Sequence, residues 1–192
     1  MKHKQKLVDQ VYDREPETGD YIINIVINRY EDIFNNLDPA PFKRRDLNSD
    51  LIRFLEDCSS DIPLKNKIIL QFQLPAPNRN ENMEALITKG LRTYFSFIMN
   101  TFSRKIRLTN ERSLFFVVIS FLLLLIASFM ANFDTADIFY LTLNEGIFIG
   151  GWVFMWEAIS SSSIKKREIR NQFRQYKRFF GSKIQFRTQT VF

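Results

Sequence analysis

From Ser113 to Ile164 the chain contains neither Lys nor Arg, although 27 of its 192 residues are basic. A cation-free stretch of that length in a basic protein asks for a solvent other than water. Hydropathy identifies one. Leu114 to Met130 reads LFFVVISFLLLLIASFM, interrupted only by Ser120 and Ser128. At 1.5 Å per residue this run covers about 25 Å, and flanking Ser113 and Ala131 bring it close to the roughly 30 Å of a hydrocarbon core. A transmembrane helix is expected over residues 113–131. A second stretch at 138–159, IFYLTLNEGIFIGGWVFMWEAI, is also long enough to cross but carries Asn144, Glu145 and Glu157. The acidic connection 132–137 is too short to do more than reverse the chain, so an antiparallel hairpin follows. A soluble protein with a buried helical hairpin is the competing reading, and the two Glu residues favour it. Against it stands the run of large apolar side chains, which exceeds what a core helix of a small domain buries.

The net charge is +6, and it resides in the tail. Residues 165–192 hold Lys165, Lys166, Arg167, Arg170, Arg174, Lys177, Arg178, Lys183 and Arg187 against the single acid Glu168. Arg104, Lys105, Arg107 and Arg112 precede the first span, and the connecting turn has no cation. Positive charge gathers on the cytoplasmic side of a membrane, which places both termini there. Lys165, Lys166, Arg167, Arg170, Arg174, Lys177 and Arg178 are accordingly read as a contact for anionic lipid headgroups, each worth about 1 kcal/mol near the surface. The aromatics interleaved with them (Phe173, Tyr176, Phe179, Phe180) allow a nucleic-acid surface as the alternative. A tail that starts directly after a span makes lipid the simpler partner and disfavours nucleic acid. Lys43-Arg44-Arg45 is a second, smaller basic cluster that could also meet headgroups.

Composition closes several other routes. Mean hydropathy is −0.17, so most of the length is water-facing protein and a polytopic transporter is excluded. One Cys (Cys58) and one His (His3) remove disulfide frameworks, zinc clusters and His-dependent triads. No phosphate-cradling glycine loop, HExxH or GxSxG is present, and no cofactor, metal ligand or catalytic residue is expected. Cys58 reads as a buried structural thiol on the apolar side of its helix. The N-terminal residues 1–19 lack an apolar core of signal-peptide length and are expected to be flexible.

Outside the spans the pattern alternates between strand and helix. YIINIVIN at 21–28 and KIILQFQL at 67–74 have period-two alternation rich in strand formers. Between them Leu47, Leu51, Phe54, Leu55 and Cys58 recur at helical spacing, with Asp46 as the expected N-cap and Pro63 beyond the end. Met83, Leu86, Ile87, Tyr94, Phe95, Ile98 and Phe102 share one stripe of a longer helix that Gly90 interrupts mildly. After the membrane, Ile169, Phe173, Tyr176 and Phe180 form an apolar edge on a basic helix ended by Gly181, and SKIQFRTQT alternates again. Those last elements are too short to stand alone, so residues 164–192 are expected to return to a cytoplasmic domain over 20–112. The fold class is α+β, a two-helix transmembrane hairpin inserted in a small cytoplasmic domain made of N- and C-terminal segments.

Within the second span, Gly146, Gly150 and Gly151 supply a GxxxG spacing that lets helix backbones approach closely in lipid, in the hairpin or in a homo-oligomer. Asn144, Glu145 and Glu157 are the intramembrane polar groups. Glu145 and Glu157 lie about 18 Å apart along a helix, so sliding the helix frees one only by burying the other. Groups of this kind are candidates for ion, proton or partner contact; the plainer expectation is that Glu157 meets Arg104, Lys105 or Lys165 at the inner interface and Glu145 is hydrated near the outer one.

The segment LNEGIFIGGWVFMWEAI, followed by a basic juxtamembrane helix and preceded by DPAPFKRRDL ahead of a short amphipathic helix, resembles a group of uncharacterised bacterial proteins with two membrane spans. The resemblance implies a bacterial inner-membrane address and no activity. The resulting expectation is a membrane-anchored, non-enzymatic module that binds a cytoplasmic protein or small ligand and self-associates. The alternatives are an oligomeric pore gated by the cytoplasmic part, and an enzyme at the membrane without a recognisable motif.

Overall fold

The computed structural model describes residues 2–42, 44–133, 137–161 and 166–189. The protein is mixed α+β. Its elements are α1 (Lys2–Val11), β1 (Tyr21–Val26), α2 (Ser49–Asp61), β2 (Ile68–Leu74), α3 (Glu81–Met130), α4 (Ile138–Ser160), α5 (Lys166–Gly181) and β3 (Lys183–Thr188). They fall into two compact units: residues 1–100 with 173–192, and residues 101–172.

The first unit is built on a three-stranded parallel sheet of order β1-β2-β3. In register, Ile23, Leu70 and Ile184 form one row, and Ile25, Phe72 and Phe186 form the next on the same face. Phe186 stacks on Phe72 at 5.3 Å and meets the ring of Tyr30 edge-on at 6.1 Å. The opposite face carries the row Asn24, Gln71, Gln185. Alternation alone would leave these amides in water, yet Gln71 is buried. They bond to each other instead: Gln71 Nε2 donates to Asn24 Oδ1 at 2.7 Å, and Gln185 Nε2 donates to Gln71 Oε1 at 2.6 Å. A central strand can bury polar side chains when each finds a cross-strand partner.

Three helical segments supply the rest of the core. On α2 the buried positions are Leu51, Leu55, Cys58 and Ser59, whereas Phe54 is exposed. The N-cap is Asn48, whose Oδ1 accepts from the Asp50 N–H at 2.8 Å, and this corrects the expectation for Asp46. A backbone bridge between Phe34 and Leu47 holds residues 46 and 47 extended, so the helix starts after them. On α3 the buried line is Ile87, Leu91 and Phe95. On α5 Tyr176 and Phe179 are buried and Phe180 is exposed, so the expected apolar edge keeps Tyr176 but takes Phe179 in place of Phe180. The cause is Phe95, which stacks on Phe179 at 5.5 Å and touches Tyr176 edge-on at 6.4 Å.

The N-terminal stretch differs from the loose segment expected of it. Val8 on α1 is buried. Asp9 Oδ1 accepts from Arg14 Nη2 and from the Tyr21 hydroxyl, both at 2.6 Å, and Arg14 lies over the Tyr21 ring at 4.2 Å.

The helix α3 runs without interruption for 50 residues. Residues 103–112 contain no Gly or Pro, and Arg107 pairs with Glu111 one turn on at 2.9 Å. In the second unit, α3 and α4 associate along a seam of small side chains. Ser113 Oγ donates to the Ala158 carbonyl at 3.0 Å, and a heptad later Ser120 Oγ donates to the Gly151 carbonyl at 2.7 Å. Phe116 contacts Phe154 at 5.8 Å, and the Tyr140 hydroxyl donates to the Met130 carbonyl at 2.9 Å. Of the expected turn, residues 134–136 lie outside the described residues.

Candidate functional site

In the first unit, an open cleft of about 720 Å³ is bounded by the turn before β2, the last turns of α5 and the start of β3. Five exposed cations line it: Lys65, Lys67, Arg174, Lys177 and Lys183. Among the described residues none of the five is in a salt bridge, whereas elsewhere in this unit Arg14 pairs with Asp9 at 2.6 Å and Arg79 with Glu84 at 2.9 Å. Among the described residues, Asp20 is the only acidic side chain lining the cleft.

The sixth cation, Arg178, is spent on the protein. Its guanidinium donates to the carbonyls of Ile62 and Pro63, each at 3.1 Å, and of Ser59 at 2.6 Å, and it also bonds the Ser59 hydroxyl. These carbonyls close α2, where a cation meets the negative end of the helix dipole. Burial pushes the Arg178 guanidinium down to about 10, which still leaves it charged at neutral pH. Its Nε is buried without an acceptor. The Nδ2 of Asn66, on the turn that enters β2, is also buried without one. Both residues line the cleft. The neighbouring Tyr176 hydroxyl donates to Glu56 Oε1 at 2.7 Å, and burial together with that carboxylate raises its phenol.

In the second unit the three glycines separate. A Cβ on Gly151 would meet Leu124 side-chain atoms at 2.9 Å, one on Gly150 would meet Leu123 at 3.9 Å, and one on Gly146 would meet nothing within 4 Å. Gly151 is thus the close-approach residue of the seam, while Gly146 faces open space. Asn144 and Glu145 line a shallow cavity of about 550 Å³ with Ala127 and Leu124. Glu145 is exposed and, among the described residues, forms no ion pair; the Asn144 Oδ1 is buried without a donor. Glu157 accepts from the Ser161 hydroxyl at 3.2 Å.

Of the tail cations expected to meet lipid, Arg174, Lys177 and Arg178 fall in the cleft, and Arg167 and Arg170 are exposed on the first turns of α5 with Lys166 half-buried beside them. Lys165 lies outside the described residues. Sequence reasoning missed Lys65, Asn66, Lys67 and Lys183. The signal available was the string LKNK between a helix and a strand, but nothing in it says that the chain terminus returns to the same spot. Among the described residues no three His, Cys, Asp or Glu side chains gather to hold a metal ion.

These features define a class: a small parallel α+β unit with a cation-rich cleft, on a chain that also folds a helical hairpin. Comparison with protein-family models, curated proteins and solved structures finds no match to this chain.

Proposed function

We propose that this protein is a membrane-anchored binding module, with the α3–α4 hairpin in the bilayer and the sheet-containing unit in the cytoplasm. The observation that carries the reading is burial. Over their most apolar eighteen-residue windows, α3 and α4 are only 17% and 6% buried. A core helix of a soluble protein is mostly enclosed, and leaving side chains such as Phe121, Leu125, Phe129 and Trp152 in water would forfeit about 1.5–3 kcal/mol each. Cation placement supports an orientation with both termini inside, and the sequence resemblance supports a bacterial inner membrane. The test is alkaline extraction of cell membranes, followed by reporters fused to each terminus. Retention in the pellet with both reporters cytoplasmic is expected. Release into the aqueous fraction, or a periplasmic reporter, overturns the reading.

The exposed Glu145 supports a second reading, in which several copies surround a hydrated path and the module gates it. Two spans cannot enclose a path alone, so this requires an oligomer. Overexpression should then depolarise cells in a way that Glu145→Gln alters; unchanged membrane potential at high expression excludes it.

A further inference from the structure

We infer that the cleft between the β2 entry turn, the end of α5 and the start of β3 binds a small phosphate-bearing anion, held by Lys65, Lys67, Lys177 and Lys183 and by the free N–H groups of Asn66 and Arg178. The inference rests on reading the protein as a binding module, and it does not depend on where the hairpin lies.

Three independent observations converge on this spot. The first is uncompensated charge. Five exposed cations share one mouth without a carboxylate in salt-bridge reach among the described residues, while Arg14 and Arg79 of the same unit are paired. Like charges held together repel, and a bound anion removes that cost. A merely solvated basic face would spread its cations along a surface; here they come from three separate chain segments and close on one concavity.

The second is the sign of the orphaned groups. Asn66 Nδ2 and Arg178 Nε are both donors. A buried donor without a partner is uncommon in a native fold, and two of them lining one cleft call for an acceptor. Arg178 arrives in this state for a structural reason, because its other nitrogens are used on the carbonyls that end α2. Those bonds also neutralise the negative end of that helix, which would otherwise repel an anion entering here.

The third is size and charge count. A volume of about 720 Å³ lies in the range of small-ligand sites, roughly 300–1,000 Å³, and exceeds what a bare monovalent ion fills. Six cations against Asp20 match a multiply charged group. A phosphomonoester or diphosphate presents several acceptor oxygens to the rigid guanidinium and amide donors while the flexible lysines close over it. The same chemistry is offered by a soluble phosphorylated compound and by a phosphatidic-acid headgroup.

The test is calorimetric titration of the full chain in zwitterionic nanodiscs with pyrophosphate at fixed ionic strength. Saturable binding is expected. It should weaken about tenfold or more in a Lys67→Gln, Lys183→Gln double variant and stay unchanged in Lys89→Gln, an exposed cation outside the cleft. Repeating the titration in discs doped with phosphatidic acid separates the two sources: competition assigns the site to a headgroup, and undiminished binding assigns it to a soluble phosphate compound. No saturable heat, an equal response to chloride, or no effect of the double variant overturns the inference. So does tighter binding of a single-stranded oligonucleotide than of pyrophosphate at matched salt. Reconstitution into discs without pyrophosphate binding sinks the ligand alone, whereas failure to enter discs sinks the anchor, and the same titration is then run in buffer.

Discussion

Ser120 donates its hydroxyl to the backbone carbonyl of Gly151 at 2.7 Å, and that bond is possible because Gly151 has no side chain to hold the helices apart. The would-be Cβ lies 2.9 Å from Leu124 Cγ and Cδ2 and 3.4 Å from the Leu124 backbone nitrogen, so even if the Leu124 side chain turns aside toward the cavity it lines, the backbone contact stays tight. Gly151→Val is therefore expected to destabilise the hairpin by about 1–3 kcal/mol, and Ser120→Ala by about 0.6 kcal/mol, the usual worth of one such bond between membrane helices. Gly146→Val should leave hairpin stability unchanged, since nothing faces that position. Unfolding in mixed micelles, read by tryptophan fluorescence, ranks the three. An oligomer that dissociates only in the Gly146 variant assigns Gly146 to a contact between copies.

Gly90 gives a second glycine prediction, in the first unit. A Cβ there would sit 2.5 Å from the backbone carbonyl oxygen of Phe42. Helix propensity alone favours alanine over glycine by roughly 1 kcal/mol, so a purely local view expects Gly90→Ala to stabilise. The steric conflict with backbone reverses the sign, and a net loss of about 1–3 kcal/mol is expected. A raised melting temperature in that variant would mean that the segment around Phe42 moves away at little cost.

The difference between those two views of Gly90 also marks what sequence reading can reach. Periodicity found β1, β2 and the helix between them, because Ile23, Ile25, Leu70 and Phe72 are read by one face of one sheet, which is a local property. It placed the apolar edge of α5 on Phe180 when Phe179 is the buried residue, because the choice is made by Phe95 on another helix. It gave the N-cap to Asp46 over Asn48, because both residue types cap well and the Phe34–Leu47 bridge decides between them. The charge of the tail was legible to the residue. That Lys177 and Lys183 share a cleft with Lys65 and Lys67 was not, because the shared cleft depends on contacts between segments far apart in the chain. Close approach at Gly90 and the hydrogen-bonded Asn24–Gln71–Gln185 row that lets Gln71 be buried are invisible for the same reason.

Cys58 provides a probe of the first unit. The residue is 6% exposed, and burial pushes its thiol above the ordinary range, so the reactive thiolate is scarce at mildly alkaline pH. Iodoacetamide should leave the native protein unmodified over the time in which it fully alkylates the denatured chain, as read by mass spectrometry. Ala at position 58 should cost about 1–2 kcal/mol of stability for the lost packing. Rapid alkylation under native conditions would show that α2 opens locally.

Acid stability should depend on Asp38. Its carboxylate accepts the N–H groups of Ala40 at 2.9 Å and Asp46 at 2.8 Å, and these bonds hold it below its ordinary value of 3.8. A carboxyl group depressed in the folded state binds its proton more readily when unfolded. Its contribution is therefore complete above pH 3.8 and disappears as the pH falls through the lower, folded value. An Asp38→Asn variant has no proton to take up, and its amide has a single acceptor oxygen where Asp38 uses both carboxylate oxygens. The variant should be less stable than the parent at neutral pH, with the gap constant from neutrality down to about pH 5 and narrowing below pH 3.8. Paired thermal unfolding curves across that range measure the gap. A gap that stays constant to pH 2 would show that the Asp38 carboxylate is not held by those two N–H groups in solution.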